Sequence, residues 1–397
     1  MAGRELSPEE KLSLVTDQLQ EVLHKDILED VILKQKRPLV IYWGTATTGR
    51  PHCGYFVPMM KIAHFLRAGC HVKILLADIH GFLDNLKAPI ELVKFRAEYY
   101  KFVIKSLLRA VGVSLDKLEF VLGSSYQLSA DYTMDIFRLS SVVTEHDAKK
   151  AGTEVVKQVD NAPLSGLIYP LMQALDEEHL KVDAQFGGVD QQRAHLMNPM
   201  VPGLAGGKMS ASDPDSKIDV LDSAEAVRKK LRKAYAATRE VEGNGIVSFV
   251  EYVLLPFSAL QDPDHKGRFV CERREGEGEP LVYHDIDTLK EDYKADKLTP
   301  QLLKAGATAA LVDLLAPIQA EYQATPEWQD IEKKAYPPAE PVKKKKQPKD
   351  KGSRHPGAGN VKANPDGTVE GKGKEQVEVG KTAEDAMAKL DVNGEAS

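Results

Sequence analysis

The feature that most constrains the fold is a series of five short apolar runs, each separated from the next by a longer segment. The runs do not alternate apolar with polar residues, so each is typical of a strand buried on both faces. Short buried strands interspersed with helices predict an α/β fold with a Rossmann-like parallel sheet, whose ligands bind beyond the carboxyl ends of the strands. The runs are residues 38–43, 71–77, 118–122, 180–186 and 195–201.

The pattern of elements divides the chain into four parts. Residues 37–215 are predicted to form the Rossmann-like catalytic domain, and an insert at about 117–161 is expected to carry a dimer contact. Residues 1–36 form a helical segment before it, and helical patterns from 216 to 336 predict a second, α-helical domain. Residues 337–397 contain no aromatic residue and a run of lysines, which predicts a disordered tail.

The first helix has a clear start signal. Ser7 is placed as N-cap, Pro8 at the first helical position, and Glu10 completes a capping box. The helix is predicted to continue as one buried stripe through Leu12, Val15, Leu19, Val22 and Leu23.

Composition and the chain start exclude several classes of protein. The longest apolar stretches fall far below the roughly 18 residues of a membrane span. The N-terminal residues lack the apolar core of a secretory signal and carry acids that a mitochondrial presequence avoids, which predicts a cytoplasmic location. Cys53, Cys70 and Cys271 are far apart and odd in number, so we expect free thiols and no metal site. A net charge of -6 argues against indiscriminate coating of nucleic acid.

The first segment that carries chemistry is 41–55, in which a strand enters a loop of glycine and threonine and then a helix. Backbone N–H groups at a helix start favour bound phosphate, and His52 can donate to charge that develops on a phosphate. Gly54 would leave room for a flat base. Taken alone, the segment is more typical of an ordinary turn with a surface histidine.

The second segment is a glycine-led loop at 206–212 that carries Lys208. It is not a Walker loop, because that motif requires Gly at Pro202 and Ser or Thr at Met209. What remains is a lysine able to follow a transferring phosphate, although many such loops are plain connectors.

The third segment places Tyr169, Gln173 and Asp176 at i, i+4 and i+7, on one face of a helix. Polar groups beside apolar neighbours indicate a pocket, and the alternative is a half-exposed helix with a polar edge. The strand that follows ends in glycines, Asp190 and Gln191, where a ligand of a parallel sheet would lie.

Together, the first two segments resemble a known family. The sequences His52-Cys53-Gly54-Tyr55 and Lys208-Met209-Ser210-Ala211-Ser212, in that order, resemble the two ATP-binding signatures of class I aminoacyl-tRNA synthetases. Residues 7–336 are similar to the cytosolic tyrosyl-tRNA synthetases of eukaryotes, of fungal type, and 40–59, 140–156 and 163–188 match almost residue for residue. The resemblance implies that L-tyrosine is activated with ATP, carried with Mg²⁺, and transferred to the 3′ end of tRNA(Tyr) by a homodimer.

The resemblance also implies roles for individual residues. Tyr42 and Asp176 would bind the phenolic hydroxyl of tyrosine, and Tyr169, Gln173 and Gln191 would hold its α-ammonium group. The catalytic residues would be His52, Lys208, Thr45 and Thr48. ATP would contact Gly44, His52, Gly54, Lys208, Met209, Ser210 and Ser212.

Two positions depart from the family pattern. Ala211 stands where the bacterial signature has a second lysine. After Gln191 the family has about twenty more residues, whereas a parallel crossover normally needs a dozen or more and this chain has only Gln192, Arg193 and Ala194 before the next run. Either the two strands do not pair in the usual way, or an exon was dropped or mispredicted.

A dense basic run lies on a predicted helix, and the family resemblance implies that this helix contacts tRNA and that residues 216–336 form an anticodon-binding domain. The members of the run are Arg228, Lys229, Lys230, Arg232 and Lys233. The alternatives are a solvated helix face and a nuclear import signal, which would give a minor nuclear pool. The lysine run at 343–351 could add weak, salt-sensitive affinity for RNA.

Three other functions stay open from the sequence alone. A tryptophanyl enzyme would share the architecture without needing Tyr42 and Asp176. An inactive or unstable isoform with a missing crossover would bind tRNA without activating tyrosine. A small-molecule adenylyltransferase uses a His-x-Gly-His motif, but it would not need the helical part or the basic run.

Overall fold

The fold is built on a six-stranded sheet with strand order β1-β6-β5-β2-β3-β4. The structure is a computed structural model that describes residues 6–83, 90–152, 164–188, 196–198, 203, 217–262, 266–276 and 278–337. The strands of the sheet are β1 Glu21–Val22, β2 Val40–Thr45, β3 His71–Leu76, β4 Leu118–Leu122, β5 Ala184–Gly188 and β6 Leu196–Asn198. A separate antiparallel pair consists of β7 Phe269–Cys271 and β8 Leu281–Tyr283.

The five strands β2, β3, β4, β5 and β6 are parallel to their neighbours among themselves, which confirms the predicted α/β fold. Each of the five apolar runs contributes one of these strands. The sequence did not predict β1, which joins the sheet edge antiparallel to β6, or the pair β7 and β8. The chain proceeds from β2 to β3 and β4 on one side, then returns to β5 and β6 on the other. The order therefore reverses between β2 and β5, and such a switch point leaves a ligand crevice at the carboxyl ends of the strands.

Helices flank the sheet and make up most of the second half of the described chain. The first half contains α1 Pro8–Thr16, α2 Lys25–Glu29, α3 Phe56–Arg67, α4 Asp78–Leu83, α5 Ile90–Val111, α6 Ser124–Gln127, α7 Ala130–Ser140, α8 Glu145–Gly152 and α9 Ser165–Leu180. The second half contains α10 Ala224–Lys233, α11 Gly245–Phe249, α12 Leu255–Gln261, α13 Ile286–Lys294, α14 Pro300–Ala324 and α15 Pro326–Ala335. Shorter turns are the π-helical Asp30–Lys34 and Val250–Leu254 and the 3-10 turn Cys53–Tyr55.

The start of α1 agrees with its sequence signal, but its length does not. The side chain of Ser7 accepts from the backbone of Glu10, whose own side chain accepts from the backbone of Ser7. The predicted stripe through Leu23 is wrong, because the helix ends at Thr16 and Val22 lies in β1. The buried ammonium group of Lys61 donates to the carbonyl oxygens of Leu14 and Asp17 at this end of the helix, which satisfies acceptors that a longer helix would have used internally.

The α-helical part packs directly on the part that contains the sheet. Helices α14 and α15 contact α5, and buried side chains of α14 such as Leu303, Leu314 and Ile318 complete the same hydrophobic core. By length and composition α14 is apolar enough to cross a membrane, yet a core helix has the same composition, and these three side chains are fully covered here. The boundary proposed at residue 216 therefore separates element types within one compact unit, Met1–Ala339.

The short connection after β5 does not prevent parallel pairing. Phe186 pairs with Leu196, and Gly188 pairs with Asn198. In this register the chain must return by about two residue rises, ~7 Å, and move across by one strand spacing, ~5 Å. The eight Cα steps from Gly188 to Leu196 can reach up to ~26 Å, which is enough for this path. The expectation that the two strands do not pair in the usual way is therefore wrong, because β5 and β6 overlap by only three residues.

Several sequence-based predictions lie outside the described residues. Most of the predicted tail falls there, since the structure describes nothing after Pro337. In the insert, residues 118–122 belong to the main sheet as β4, and the part that leaves the sheet follows Leu122 as α6, α7 and α8. All three cysteines are buried free thiols, as predicted.

Candidate active site

A pocket beside the carboxyl-terminal halves of β2 and β3 brings together residues far apart in the sequence. Strand β2 contributes Tyr42, Gly44 and Thr45, and α9 contributes three predicted residues at helical spacing. The α9 residues are Tyr169, Gln173 and Asp176. The wall is completed by Ala46, Leu75, Ala77, His80 and Gln185. The predicted pocket face of α9 is thus the face that meets the sheet.

The carboxylate of Asp176 lies at the centre of this pocket and is 1% exposed. Its Oδ1 accepts from the hydroxyl of Tyr126 at 2.7 Å, from Nε2 of Gln127 at 2.8 Å and from the hydroxyl of Tyr132 at 2.9 Å. Its Oδ2 faces Nε2 of His80 at 3.8 Å, which is too long for a hydrogen bond. Three protein donors thus fix the carboxylate through one oxygen, and the other oxygen can accept from a ligand.

Burial keeps the polar rings around this carboxylate uncharged. Burial lowers the pKa of His80, although the nearby Asp176 and Asp78 act in the opposite direction. Burial raises the pKa of Tyr42 well above its usual range, and the charges of Glu177 and Asp176 raise it further. A neutral phenol and a fixed carboxylate at the closed end of a pocket can recognise a hydroxyl group that both donates and accepts a hydrogen bond.

Sequence reasoning missed four of the residues around Asp176. They are His80, Tyr126, Gln127 and Tyr132. The first lies in α4 just after β3, and the next two lie in α6 just after β4. A signal was present, because the rule that directed attention to the carboxyl ends of β2 and β5 applies equally to these neighbouring strands.

The histidine turn, residues 46–53, continues from β2 into the 3-10 turn Cys53–Tyr55, which precedes α3. Nδ1 of His52 accepts from the backbone N–H of Gly54 at 3.2 Å. Burial, assisted by the positive charge of Lys217, lowers the pKa of His52 to about 4, so the ring is neutral at pH 7. Because Nδ1 accepts, Nε2 carries the ring proton and is available as a donor. The hydroxyl of Thr45 is paired with that of Tyr55 at 2.9 Å.

Side chains from other elements hold the backbone of the histidine turn. Arg96 of α5 donates to the carbonyl oxygen of Thr48 at 2.7 Å. The carbonyl oxygen of Gly49 accepts from the hydroxyl of Tyr100 at 2.6 Å and from that of Tyr336 at 2.8 Å. The turn is therefore fixed both by α5 and by the residue that follows α15.

The predicted lysine loop lies outside the described residues. This applies to Lys208, Met209, Ser210 and Ser212, and equally to Gln191. The segment just after the loop is described, and it lies against the histidine turn. The carbonyl oxygen of Ile218 accepts from the backbone N–H of Cys53 at 2.8 Å, and Asp219 forms an antiparallel bridge with His52.

The basic run forms the exposed face of α10, with one exception. Four of its side chains are exposed, namely Arg228, Lys229, Arg232 and Lys233. Lys230 is turned inward and donates to the carboxylate of Asp222 at 2.6 Å. Arg228 and Arg232 line a groove between α10 and α14 together with Lys304.

Comparison with known proteins gives a consistent result. Residues 34–316 match the family described as class I tRNA synthetases (W and Y). The chain is 53% identical over 373 residues to the cytoplasmic tyrosine–tRNA ligase of Saccharomyces cerevisiae. The alignment covers 89% of this chain and 95% of the yeast protein. Since 89% of 397 residues is about 353, about 20 aligned positions have no counterpart in this chain.

Solved structures agree with this. The tyrosyl-tRNA synthetase of Archaeoglobus fulgidus, solved with L-tyrosine, is 34% identical with a TM-score of 0.71, over 79% of this chain and 99% of that one. The tryptophanyl-tRNA synthetase of Aeropyrum pernix covers 84% of this chain and 90% of its own length, with 18% identity and a TM-score of 0.59. The second similarity shows the shared fold alone.

Proposed function

The chain belongs to the class I tRNA synthetases of the tryptophan and tyrosine family, and we infer from this premise that it is a cytoplasmic tyrosine–tRNA ligase. It activates L-tyrosine with ATP and transfers the tyrosyl group to tRNA(Tyr). The observation that carries the inference is the 53% identity across 95% of the yeast cytoplasmic enzyme. The family match across residues 34–316 includes tryptophanyl as well as tyrosyl enzymes, but the tryptophanyl enzyme of Aeropyrum pernix is only 18% identical to this chain. A small-molecule adenylyltransferase would not account for the family match.

Exchange of labelled pyrophosphate into ATP tests this function directly. The purified chain is expected to catalyse exchange with tyrosine, and not with tryptophan or phenylalanine. Exchange with tryptophan would overturn the assignment. Binding of tRNA(Tyr) without any exchange would instead support the inactive isoform that a shortened crossover could produce.

We propose that the pocket recognises tyrosine through Tyr42 and Asp176 at its closed end. The Oδ2 atom of Asp176 would accept from the phenolic hydroxyl, and the hydroxyl of Tyr42 would donate to it. Tyr169 and Gln173, with Gln191, would hold the α-ammonium group nearer the strand ends. Phenylalanine would leave the buried carboxylate and phenol without a partner, which is the discrimination for which tyrosine enzymes of this class are known.

The chemistry needs positioned charge and no protein nucleophile. The carboxylate oxygen of tyrosine attacks the α-phosphorus of ATP, the bond to the bridging oxygen breaks, and pyrophosphate leaves with the electron pair. A ribose hydroxyl at the 3′ end of tRNA then attacks the adenylate carbonyl and releases AMP. We propose that the Nε2–H of His52 and the ammonium group of Lys208 stabilise phosphate charge, while Thr45, Thr48, Gly44 and Gly54 line the ATP path. Mg²⁺ would arrive with ATP as part of the substrate.

We propose that the exposed face of α10 binds tRNA phosphates. Arg232 lies at the groove shared with Lys304, whereas Lys230 is already paired with Asp222. Replacing Arg232 by glutamine is expected to weaken tRNA binding about 3-fold to 10-fold and to reduce the slope of log affinity against log salt by about one.

The matched control for this prediction is Lys230→Gln, which removes the same charge from the same helix. Affinity is measured by fluorescence anisotropy of labelled tRNA across a potassium chloride series. The control is expected to retain the wild-type slope. Equal effects of both substitutions would contradict the assignment of α10 as an RNA surface and would favour a general charge effect.

We propose that the predicted insert, about 117–161, forms a homodimer contact through exposed apolar side chains on and just before α7, together with Leu164 just before α9. Phe137 is 63% exposed and Met134 lies one helical turn before it, while Leu128 and Leu164 are 69% and 75% exposed. Helices α7 and α9 pack together, so these residues belong to neighbouring elements. Apolar side chains of this size, exposed together, are typical of a covered interface. A second copy is the occupant that the resemblance to homodimeric synthetases implies.

Substitution of Phe137 by glutamate is expected to weaken this dimer at least about 100-fold, because a buried charge without a partner costs several kcal/mol. Sedimentation velocity across a concentration series measures the change. The control is Val282→Glu, which alters a 44% exposed apolar residue on β8. If the wild-type chain sediments as a monomer at all concentrations, or if both variants dissociate alike, the proposed interface is wrong.

A further inference from the structure

Lys217 follows the second ATP-binding signature in the sequence and contacts the turn that carries the first. It follows Lys208 by nine positions and is only 5% exposed, which is uncommon for a lysine. Its ammonium group donates to the carbonyl oxygen of Arg50 at 3.2 Å, inside the histidine turn. The segment that begins at Lys217 therefore contacts the turn through a side chain as well as through backbone.

The backbone contacts fix this arrangement. Cys53 donates its N–H to the carbonyl oxygen of Ile218, and Asp219 bridges to His52. Residues before and after Arg50 in the turn are already held by hydrogen bonds. The carbonyl oxygen of Gly49 accepts from two tyrosine hydroxyls, and the N–H of Cys53 donates to Ile218. The hydrogen bond from Lys217 to the Arg50 carbonyl oxygen thus connects the segment that begins at Lys217 to the middle of the turn.

We propose that Lys217 is a positioning residue for adenylate formation, which joins the segment that begins at Lys217 to the histidine turn and places a positive charge beside His52. The proposal rests on the function assigned above. It acts through His52 and the turn, since its contact is to protein and not to the reacting atoms. A buried ammonium group at this point does two things that a neutral residue could not do together: it donates to the carbonyl oxygen of Arg50, and it adds to the effect of burial in lowering the pKa of His52.

Within the described part of the chain, the other charged groups near His52 do not supply this effect. The guanidinium group of Arg50 is directed away, onto the carboxylate of Glu332 and over the ring of Tyr336 at 4.7 Å. The carboxylate of Asp219 accepts from the backbone N–H of Leu221 at 3.0 Å, and burial raises its pKa. Asp222 is paired with Lys230, and the ring of Tyr55 meets the imidazole edge-on with centroids 5.7 Å apart. Lys217 is the cation whose charge lowers the pKa of His52 in addition to burial.

Three substitutions separate the two roles. Lys217→Met removes both the hydrogen bond and the charge, Lys217→Gln keeps a donor without the charge, and Lys217→Arg keeps both. In pyrophosphate exchange, Lys217→Met is expected to lower kcat about 10-fold with KM for ATP and for tyrosine within about 2-fold of wild type. Lys217→Arg is expected to restore most of kcat, and circular dichroism on each variant confirms folding.

A second readout does not depend on catalysis. Titration of the His52 imidazole by NMR is expected to give a higher pKa in Lys217→Met and Lys217→Gln than in the wild-type chain, because removal of a nearby positive charge makes protonation easier. The control is Lys117→Met, which removes a similar bond from an ammonium group to the Gly69 carbonyl, at the opposite end of the sheet. This control is expected to leave both kcat and the His52 pKa unchanged.

The outcomes distinguish this proposal from the function on which it rests. A wild-type chain without exchange activity would contradict the assigned function, and the His52 titration would still decide whether Lys217 acts on the imidazole. An unchanged pKa of His52 in folded Lys217→Met overturns the proposal. So does a loss of kcat no larger than that of Lys117→Met, or a defect confined to KM for ATP.

Discussion

Replacement of Asp176 by asparagine is expected to lower kcat/KM for tyrosine by at least about 100-fold in pyrophosphate exchange. The hydrogen bond from the phenolic hydroxyl to the charged carboxylate is lost, and buried donors around it lose part of their acceptor. Asparagine has the same shape, and its oxygen can still accept from two of the three donors that now converge on Oδ1. Its amide nitrogen cannot accept at the position of Oδ2. The ligand hydroxyl would therefore meet a donor where it needs an acceptor.

The control for this prediction is Glu178→Gln, which removes a carboxylate from the exposed side of the same helix. Activity with phenylalanine separates recognition from general damage. In Asp176→Asn the preference for tyrosine over phenylalanine is expected to shrink along with tyrosine activity, and in the control both are expected to stay at wild-type values. A folded Asp176→Asn enzyme that kept full preference for tyrosine would show that the phenolic hydroxyl binds elsewhere.

The sequence was enough to locate one wall of this pocket because that wall is a local pattern. Tyr169, Gln173 and Asp176 share a helix face by their spacing alone, and Tyr42 and Thr45 belong to a strand whose end is a preferred ligand position. The opposite wall could not be deduced in the same way. Tyr126 and Tyr132 reach Asp176 from about fifty residues away, and such convergence depends on how α7 packs on α9 and α6 on α7.

Charge patterns show the same limit. In the sequence, Lys230 is indistinguishable from its basic neighbours on α10, yet the structure pairs it with Asp222, which lies just before the helix begins. The predicted length of the first helix failed for a related reason. Spacing continued to suit a helix as far as Leu23, but the end of α1 is set by Lys61, a residue of α3 whose ammonium group takes up the free carbonyl oxygens. Tertiary contacts thus decided where local patterns were ambiguous.

The parallel pairing of β5 with β6 changes how the shortened connection should be viewed. A minimum crossover length is a rule for strands that overlap over their whole length, and an overlap of three residues needs much less chain. The sheet that supports Tyr42 and Gln185 therefore keeps its order β6-β5-β2. The roughly 20 aligned positions that have no counterpart in this chain could affect Gln191, which is proposed to bind the α-ammonium group of tyrosine. A higher KM for tyrosine than in relatives with the full connection would be the expected sign.

His52→Asn is expected to lower kcat of pyrophosphate exchange about 100-fold while leaving the melting temperature and KM for ATP close to wild type. The reason lies in the two ring nitrogens, which have separate functions. Nδ1 accepts from the Gly54 N–H, and the side-chain oxygen of asparagine can replace it in that cap. Nε2–H is proposed to donate to phosphate oxygen in the transition state, and asparagine places no donor there.

His52→Ala and His52→Gln complete the comparison. Alanine removes both functions, so it is expected to lose a similar factor in kcat and in addition about 1 kcal/mol of stability from the missing cap. Glutamine can present its amide N–H near the position of Nε2, so it is expected to recover part of kcat at the expense of the cap. Because the pKa of His52 is lowered to about 4, the activity of the wild type is expected to be constant near neutral pH. Activity is expected to fall in acid, where protonation of Nδ1 breaks its hydrogen bond to the Gly54 N–H. If asparagine retained full kcat, the histidine would be a turn-forming residue only, and the charge that develops on the phosphates would have to be stabilised by Lys208 and backbone groups without it.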